Sequence, residues 1–160
     1  MDELRIPVTG RMVVIELMGG AQLGGLVFIP SAAPDHDGTM RLVEWLNAAG
    51  DFFPFQAHGE EGHAVLSKRG VLCLTAYHER DSDDYDLTDG TCKCGVAIEA
   101  GGQSFAGQLI VDTPYNNRRV LDVLNDGKQF VYLLDRGKEV HINKAFIIKV
   151  TETGSLKPKA

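Results

Sequence analysis

A chain of 160 residues with 44% apolar side chains is long enough to bury the core of one compact domain or two small ones. Its net charge of −6 argues against general binding to a phosphate backbone, and three cysteines, an odd number, argue against a disulfide framework. The charge is uneven, at −4 over residues 1–78, −4 over 79–95 and +2 over 96–160, so any basic face belongs to the C-terminal part.

The opening MDELRIPVTGR is acidic and has no apolar h-region, and no apolar run reaches membrane-spanning length, so a cytoplasmic location with no membrane partner is expected. An apolar run at Val13–Leu17 then leads through GGAQLGG to Leu26–Ile29, which predicts a strand, a glycine turn and a second strand. The stretch PSAAPDHDGT, with Pro30, Pro34 and Gly38, is a loop. A short helix follows Thr39 as N-cap and stops near Gly50, and Leu42 and Leu46 share the face that covers the sheet of this unit. Two further strands lead through VLSKRGVLCLT, Val65 to Thr75, to the end of the first unit at residue 78.

Residues 79–95 are acidic and lack apolar periodicity, which predicts a surface linker. A second unit occupies 96–152: Val96–Ile98, the turn AGGQSFAG, Leu109–Val111, the loop DTPYNN, a helix from the N-cap Asn117 to near Gly127 with Val120 and Leu124 on one face, and strands through Val140–Val150. Residues 153–160 read as a flexible tail.

The two units match. RLVEWLNAAGDFFPF at Arg41–Phe55 is echoed by RVLDVLNDGKQFVYL at Arg119–Leu133, with Arg41 and Arg119, Glu44 and Asp122, Leu46 and Leu124, Asn47 and Asn125, Phe52 and Phe130 at one constant offset. A gapless comparison of Val65–Thr75 with Val140–Val150 continues the match. The predicted fold is therefore mainly β with two short helices (α+β): a tandem duplication of a ββαββ unit, each a bent sheet or small barrel, related by a pseudo-two-fold axis.

The compact polar and basic cluster with an aromatic neighbour is Tyr115, Asn116, Arg118 and Arg119; with Lys144 it is the candidate ligand-binding set. The C-x-C pair Cys92 and Cys94, with His78, is the weak candidate for a metal, but structural zinc takes four ligands from paired knuckles and no second knuckle is present. Asp81, Asp83 and Tyr85 followed by Asp86 fail the calcium-loop pattern. His36, His58, His63 and His141 read as surface histidines, for no metal-binding spacing links them. Neither Ser67 nor Ser104 sits in a strand-to-helix elbow, and GGAQLGG leads into a strand, which removes the helix N-terminus that would receive a phosphate. Arg41 with Glu44 and Arg119 with Asp122 pair three apart along their helices, and Asn47 and Asn125 read as helix ends in left-handed conformation.

The hairpin pattern GGLVFI and GQLIV resembles the opening of Sm-like and other small barrels of the SH3 type. The fuller pattern, Arg with an apolar-acid-x-Leu-Asn helix, a Phe-led strand and V-x-x-x-N-K-x-x-I, resembles a small bacterial domain family. The second unit carries it through Asn143, Lys144 and Ile147, and the first has Lys68, Arg69 and Leu72 at those places. Two related surfaces, with Trp45, Phe53 and Phe55 in one where Val123, Val131 and Leu133 stand in the other, suit a non-enzymatic protein-interaction or regulatory module. Its expected partner is another protein or a second copy in a homodimer, and no cofactor is expected. The alternatives are RNA or nucleotide binding through an Sm-like barrel, using Tyr115, Arg118, Arg119 and Lys144, and a metal-dependent enzyme working in the cleft between units.

Overall fold

The structure is a computed structural model that describes residues 8–30, 40–48, 50–77, 91–112 and 119–154. The first half runs β1 (Val8–Leu17), β2 (Gln22–Pro30), α1 (Leu42–Asn47), β3 (Phe52–Ala57), β4 (Ala64–Ser67), a 3-10 turn at Lys68–Gly70 and β5 (Val71–Tyr77). The second runs β6 (Thr91–Ala100), β7 (Gln103–Asp112), α2 (Val120–Leu124), β8 (Phe130–Asp135), β9 (Lys138–Asn143), a 3-10 turn at Lys144–Phe146 and β10 (Ile147–Gly154).

The described strands form one open antiparallel sheet in the order β10-β6-β7-β8-β9-β5-β1-β2-β3-β4. Within it each half pairs in the same order, its fifth strand beside its first. Each half has its own cluster of buried side chains. Val13, Ile15, Val27, Ile29, Leu42, Leu46, Phe53 and Phe55 make the first, and Val96, Ile98, Leu109, Val111, Val120, Val123, Val131 and Leu133 belong to the second. The pleat explains the selection: Val13 and Ile15 turn inward while Met12 and Val14, one residue out of step, face solvent. Burying each large aliphatic side chain contributes roughly 1.5–3 kcal/mol, enough for two small cores to hold a curled sheet.

Both predicted hairpins are present, with Gly19 and Gly20 in one turn and Gly101 and Gly102 in the other at positive φ. Gly25 and Gly107 answer a different need, for the next strand passes too close for a side chain. A Cβ on Gly25 would lie 2.1 Å from the Gln56 carbonyl oxygen, and one on Gly107 would lie 2.7 Å from that of Leu134.

Three expectations need correction. Among the described residues each half holds five strands, three of them after the helix, because a 3-10 turn breaks the run read as one strand and swings the chain from the fourth strand to the fifth. Whether strands of one half pair with those of the other is open in the sequence; here the halves share one sheet, joined where β5 pairs with β9. That joint is head to tail, fifth strand against fourth, whereas a pseudo-two-fold axis would bring like edges together. Finally, β6 starts at Thr91, so the last residues of the segment read as linker already pair with β7, as Cys92 does with Val111. The N-caps are Arg41 and Arg119, and Thr39 and Asn117 lie outside the described residues.

Replacing Gly25 by Ala should lower stability by about 2 kcal/mol or more, as overpacking against backbone does, read as a lower denaturation midpoint with an unchanged slope.

Candidate functional site

Polar side chains that a surface reading would place in water are concentrated at the joint between the halves. β9 alternates Glu139, His141 and Asn143 with Val140 and Ile142, and all five are buried. The apolar pair belongs to the second core. The polar three share the face of Leu74 and Ala76 on β5, since Leu74 pairs with His141 and Ala76 with Glu139. A pattern that predicts one wet face therefore occurs on a strand covered on both sides.

Burial of these groups demands partners. The Glu139 carboxylate accepts a salt bridge from the Arg11 guanidinium of β1 and lies 3.2 Å from Nε2 of His141. Ala76, no more than a methyl group beside Glu139, leaves room for the arginine to reach across from β1. His141 also stacks at a tilt on Tyr132, with ring centroids 4.9 Å apart, and its Nδ1 has no hydrogen-bond partner among the described residues. Burial lowers the His141 pKa, the Glu139 carboxylate opposes that and Arg11 adds to it, so the imidazole is held neutral. The surface role expected for His141 is thus corrected; His58 and His63 are exposed, as expected, and His36 lies outside the described residues.

Two asparagines lock the joint. The side chain of Asn47, the last residue of α1, accepts from the Phe130 backbone N–H at 2.9 Å and donates to the Phe130 carbonyl at 3.4 Å, imitating a strand partner for the start of β8. Phe130 itself is buried in the first core although it comes from the second half. Asn143 donates to the carbonyls of Lys68 and Val71 at 3.1 and 3.0 Å and accepts from the Ala145 N–H, holding both 3-10 corners together. The left-handed helix end expected at Asn47 and Asn125 is not what they provide: Asn125 has φ −103° and is exposed, and Asn47 is the clamp. The helix α1 correspondingly spans the joint onto β8 and does not cover its own sheet alone.

The lysines serve the helices. Lys68 donates to the carbonyls of Trp45 and Ala48 at 3.4 and 3.1 Å, and Lys144 donates to the carbonyl of Val123 at 2.7 Å and to Asp126 at 2.6 Å. Each satisfies carbonyls left open at a helix C-terminus, where a cation also meets the negative end of the dipole. Trp45 and Val123 occupy matching positions, so Lys68 corresponds to Lys144 and Ser67 to Asn143. The gapless comparison, which set Lys68 against Asn143, is out of register by one residue. Burial lowers the Lys68 pKa against the opposing charge of Asp51. Burial pushes the Asp126 carboxyl up, but hydrogen bonds from Lys144 and the Lys128 backbone outweigh it and hold it below the usual carboxylate range.

Of the predicted ligand-binding set, Tyr115, Asn116 and Arg118 lie outside the described residues. Arg119 starts α2, its backbone N–H donating to Asp122 at 2.7 Å with the side chains 4.0 Å apart. Lys144 sits at the opposite end of α2, so the two described members are held apart by the length of the helix. Arg41 and Glu44 form the same pair on α1.

Of the weak metal set, His78 is outside the described residues and Cys92 and Cys94 lie in β6. Burial and the Glu152 carboxylate raise the Cys94 pKa, and burial with Glu16, which accepts from the thiol at 3.5 Å, pushes Cys73 up to about 12, so both stay protonated thiols. Among the described residues no group of three metal-ligating side chains converges, and no helix is long and apolar enough to cross a membrane.

Sequence reasoning missed Arg11, Glu139 and the buried His141. The signal available was the Glu139, His141, Asn143 alternation itself, which reads the same for a wet face and for a buried polar seam.

Replacing Asn47 by Ala leaves the Phe130 N–H buried without its partner and should cost about 1–3 kcal/mol, measured by denaturant unfolding. For His141 the folded pKa lies below the unfolded value, so the unfolded chain binds the extra proton. Stability is complete above about pH 6.5 and falls as pH drops through that value, by up to about 1.4 kcal/mol per pH unit. His141→Leu should flatten that segment of the stability–pH curve. Comparison with protein-family models, curated proteins and solved structures finds no match to this chain.

Proposed function

We propose that this chain is a non-enzymatic protein-interaction module of the cytoplasm, a duplicated ββαβββ unit whose first half carries the docking face. The buried polar groups support a scaffold role, since Lys68, Lys144, Asn47 and Asn143 direct their hydrogen bonds to backbone that would otherwise be unsatisfied.

The observation that carries the proposal is the outer face of the first hairpin. Val8, Met12 and Val14 stand exposed on β1, and their neighbours on β2 are Pro30 opposite Val8, Phe28 opposite Gly10 and Leu26 opposite Met12. These are consecutive positions of one pleat face, so they form a continuous apolar strip and not scattered residues. At the matching places of the second hairpin stand Thr91, Lys93, Gly95 and Ala97 on β6 and Gln108, Ile110 and Asp112 on β7. A fold that needed this strip apolar for its own stability would need it in both halves. The difference supports a binding role for the first alone, and the strip's chemistry suits an apolar protein surface better than RNA.

Met12→Asp changes an exposed side chain and should leave the unfolding midpoint within about 0.5 kcal/mol of wild type. In quantitative affinity capture, wild type should retain a reproducible protein partner that the variant loses by an order of magnitude. Equal capture by both proteins, or no partner for either, would remove the proposal's support.

A further inference from the structure

We propose that copies of this chain assemble head to tail, the β4 edge of one pairing with the β10 edge of the next, and that this contact repeats the β5·β9 joint inside the chain. Among the described residues, β4 and β10 end the sheet with no strand on their outer sides. Their counterparts are the two strands that do meet. Pro54 pairs with Val65 as Tyr132 pairs with His141, which sets β4 in the place of β9. Ile15 pairs with Leu74 as Ile98 pairs with Val150, which sets β10 in the place of β5. Both fifth strands carry the register shift at the same step, with Leu72 the extra residue in β5 and Ile148 in β10.

The side chains at the open edges fit the interior of such a contact. Ile148 is 79% exposed, whereas its counterpart Leu72 is 4% exposed in the second core. Phe52 is 65% exposed, whereas Phe130, clamped by Asn47, is 2% exposed in the first core. Val65 is 68% exposed, whereas His141 is fully buried. Three of the exposed large apolar residues therefore stand where the internal joint buries its own, and an uncovered apolar edge is a template for another strand. Transposing the internal register places Val150 opposite Val65 and Glu152 opposite His63, an acid facing a histidine. It also brings the exposed Asn125 side-chain amide, which has no hydrogen-bond partner among the described residues, to the backbone of Phe52 in the next copy, as Asn47 meets Phe130.

A contact between unlike edges is heterologous, so each copy keeps one edge to offer and one to receive until the array closes. The proposal rests on the correspondence of the strand pairings and shares no residue with the outer strip of the first hairpin; a Met12→Asp protein that loses its partner yet keeps its mass would separate the two.

The test is size-exclusion chromatography with light scattering over a dilution series. Wild type should run as a multimer, while Val65→Glu and Ile148→Glu should each run as monomers with the far-ultraviolet dichroism of the wild-type fold, since both positions are exposed within the chain. Their equimolar mixture should form a dimer and nothing larger, because one intact β10 edge and one intact β4 edge remain. Asn125→Ala, which removes no side-chain hydrogen bond among the described residues, should weaken the multimer by about tenfold. A monomeric wild type at every concentration, either glutamate variant keeping the wild-type mass, or a mixture that stays monomeric would each overturn the proposal.

Discussion

The antiparallel ladder between β5 and β9 is the constraint on which the rest of the molecule depends. Among the described residues it is the only strand pairing that joins the two halves, and both strands are buried on both faces along most of their length. A strand covered on two sides has to satisfy two environments at once. β9 does so by giving Val140 and Ile142 to the second core and Glu139, His141 and Asn143 to the side of the first. Placing three polar groups there is costly unless each is bonded, and the Arg11 salt bridge and the Asn143 contacts to both 3-10 corners provide that compensation. Such a seam contributes less net stability than an apolar one of equal volume, but it accepts only one register: a slip of one residue would set Glu139 and His141 among the aliphatic side chains of the other core.

The same economy runs through each half. A 3-10 corner turns the fourth strand into the fifth, a lysine at its start reaches back to the end of the helix, and an arginine with an acid three residues later begins that helix. The lysine ties the C-terminal end of each described short helix to the corner, and the arginine with its acid caps the N-terminal end from within the helix. Helices of five or six residues are far below the length at which propensity alone sustains them, so their existence depends on those tethers and on Leu42, Leu46, Val120 and Val123 in the cores.

Much of this was legible in the amino-acid order. The glycine turns, the two hairpins, the positions of both helices and the matching of Arg41–Phe55 with Arg119–Leu133 follow from local chemistry, which a sequence states directly. What escaped is what depends on distant chain. The 3-10 corner at Lys68–Gly70 preserves the alternation of apolar and polar residues closely enough that one strand and two strands read alike. The burial of His141 depends on β5, far away in the chain, pairing with β9 and so bringing the first core to that face. The role of Asn47 depends on Phe130 arriving beside α1. Lys144 reads as an outward, ligand-binding lysine because its partners, the Val123 carbonyl and Asp126, are invisible as a motif. The outer strip of β1 and β2 was hidden for the converse reason: Val8, Met12 and Leu26 look like core until the pleat decides which residues face in.

The β5·β9 ladder also has a consequence for synthesis. Val71–Tyr77 leaves the ribosome long before Lys138–Asn143 exists, so the first half must wait with its most apolar edge unpaired while roughly as much chain again is made. Contacts of such separation form late, and an unpaired apolar strand is prone to intermolecular pairing in the interval. The nascent first half is therefore the stage at which this protein is most exposed to aggregation, and a chain cut short before β9 would retain that hazard permanently, whatever the stability of its own core.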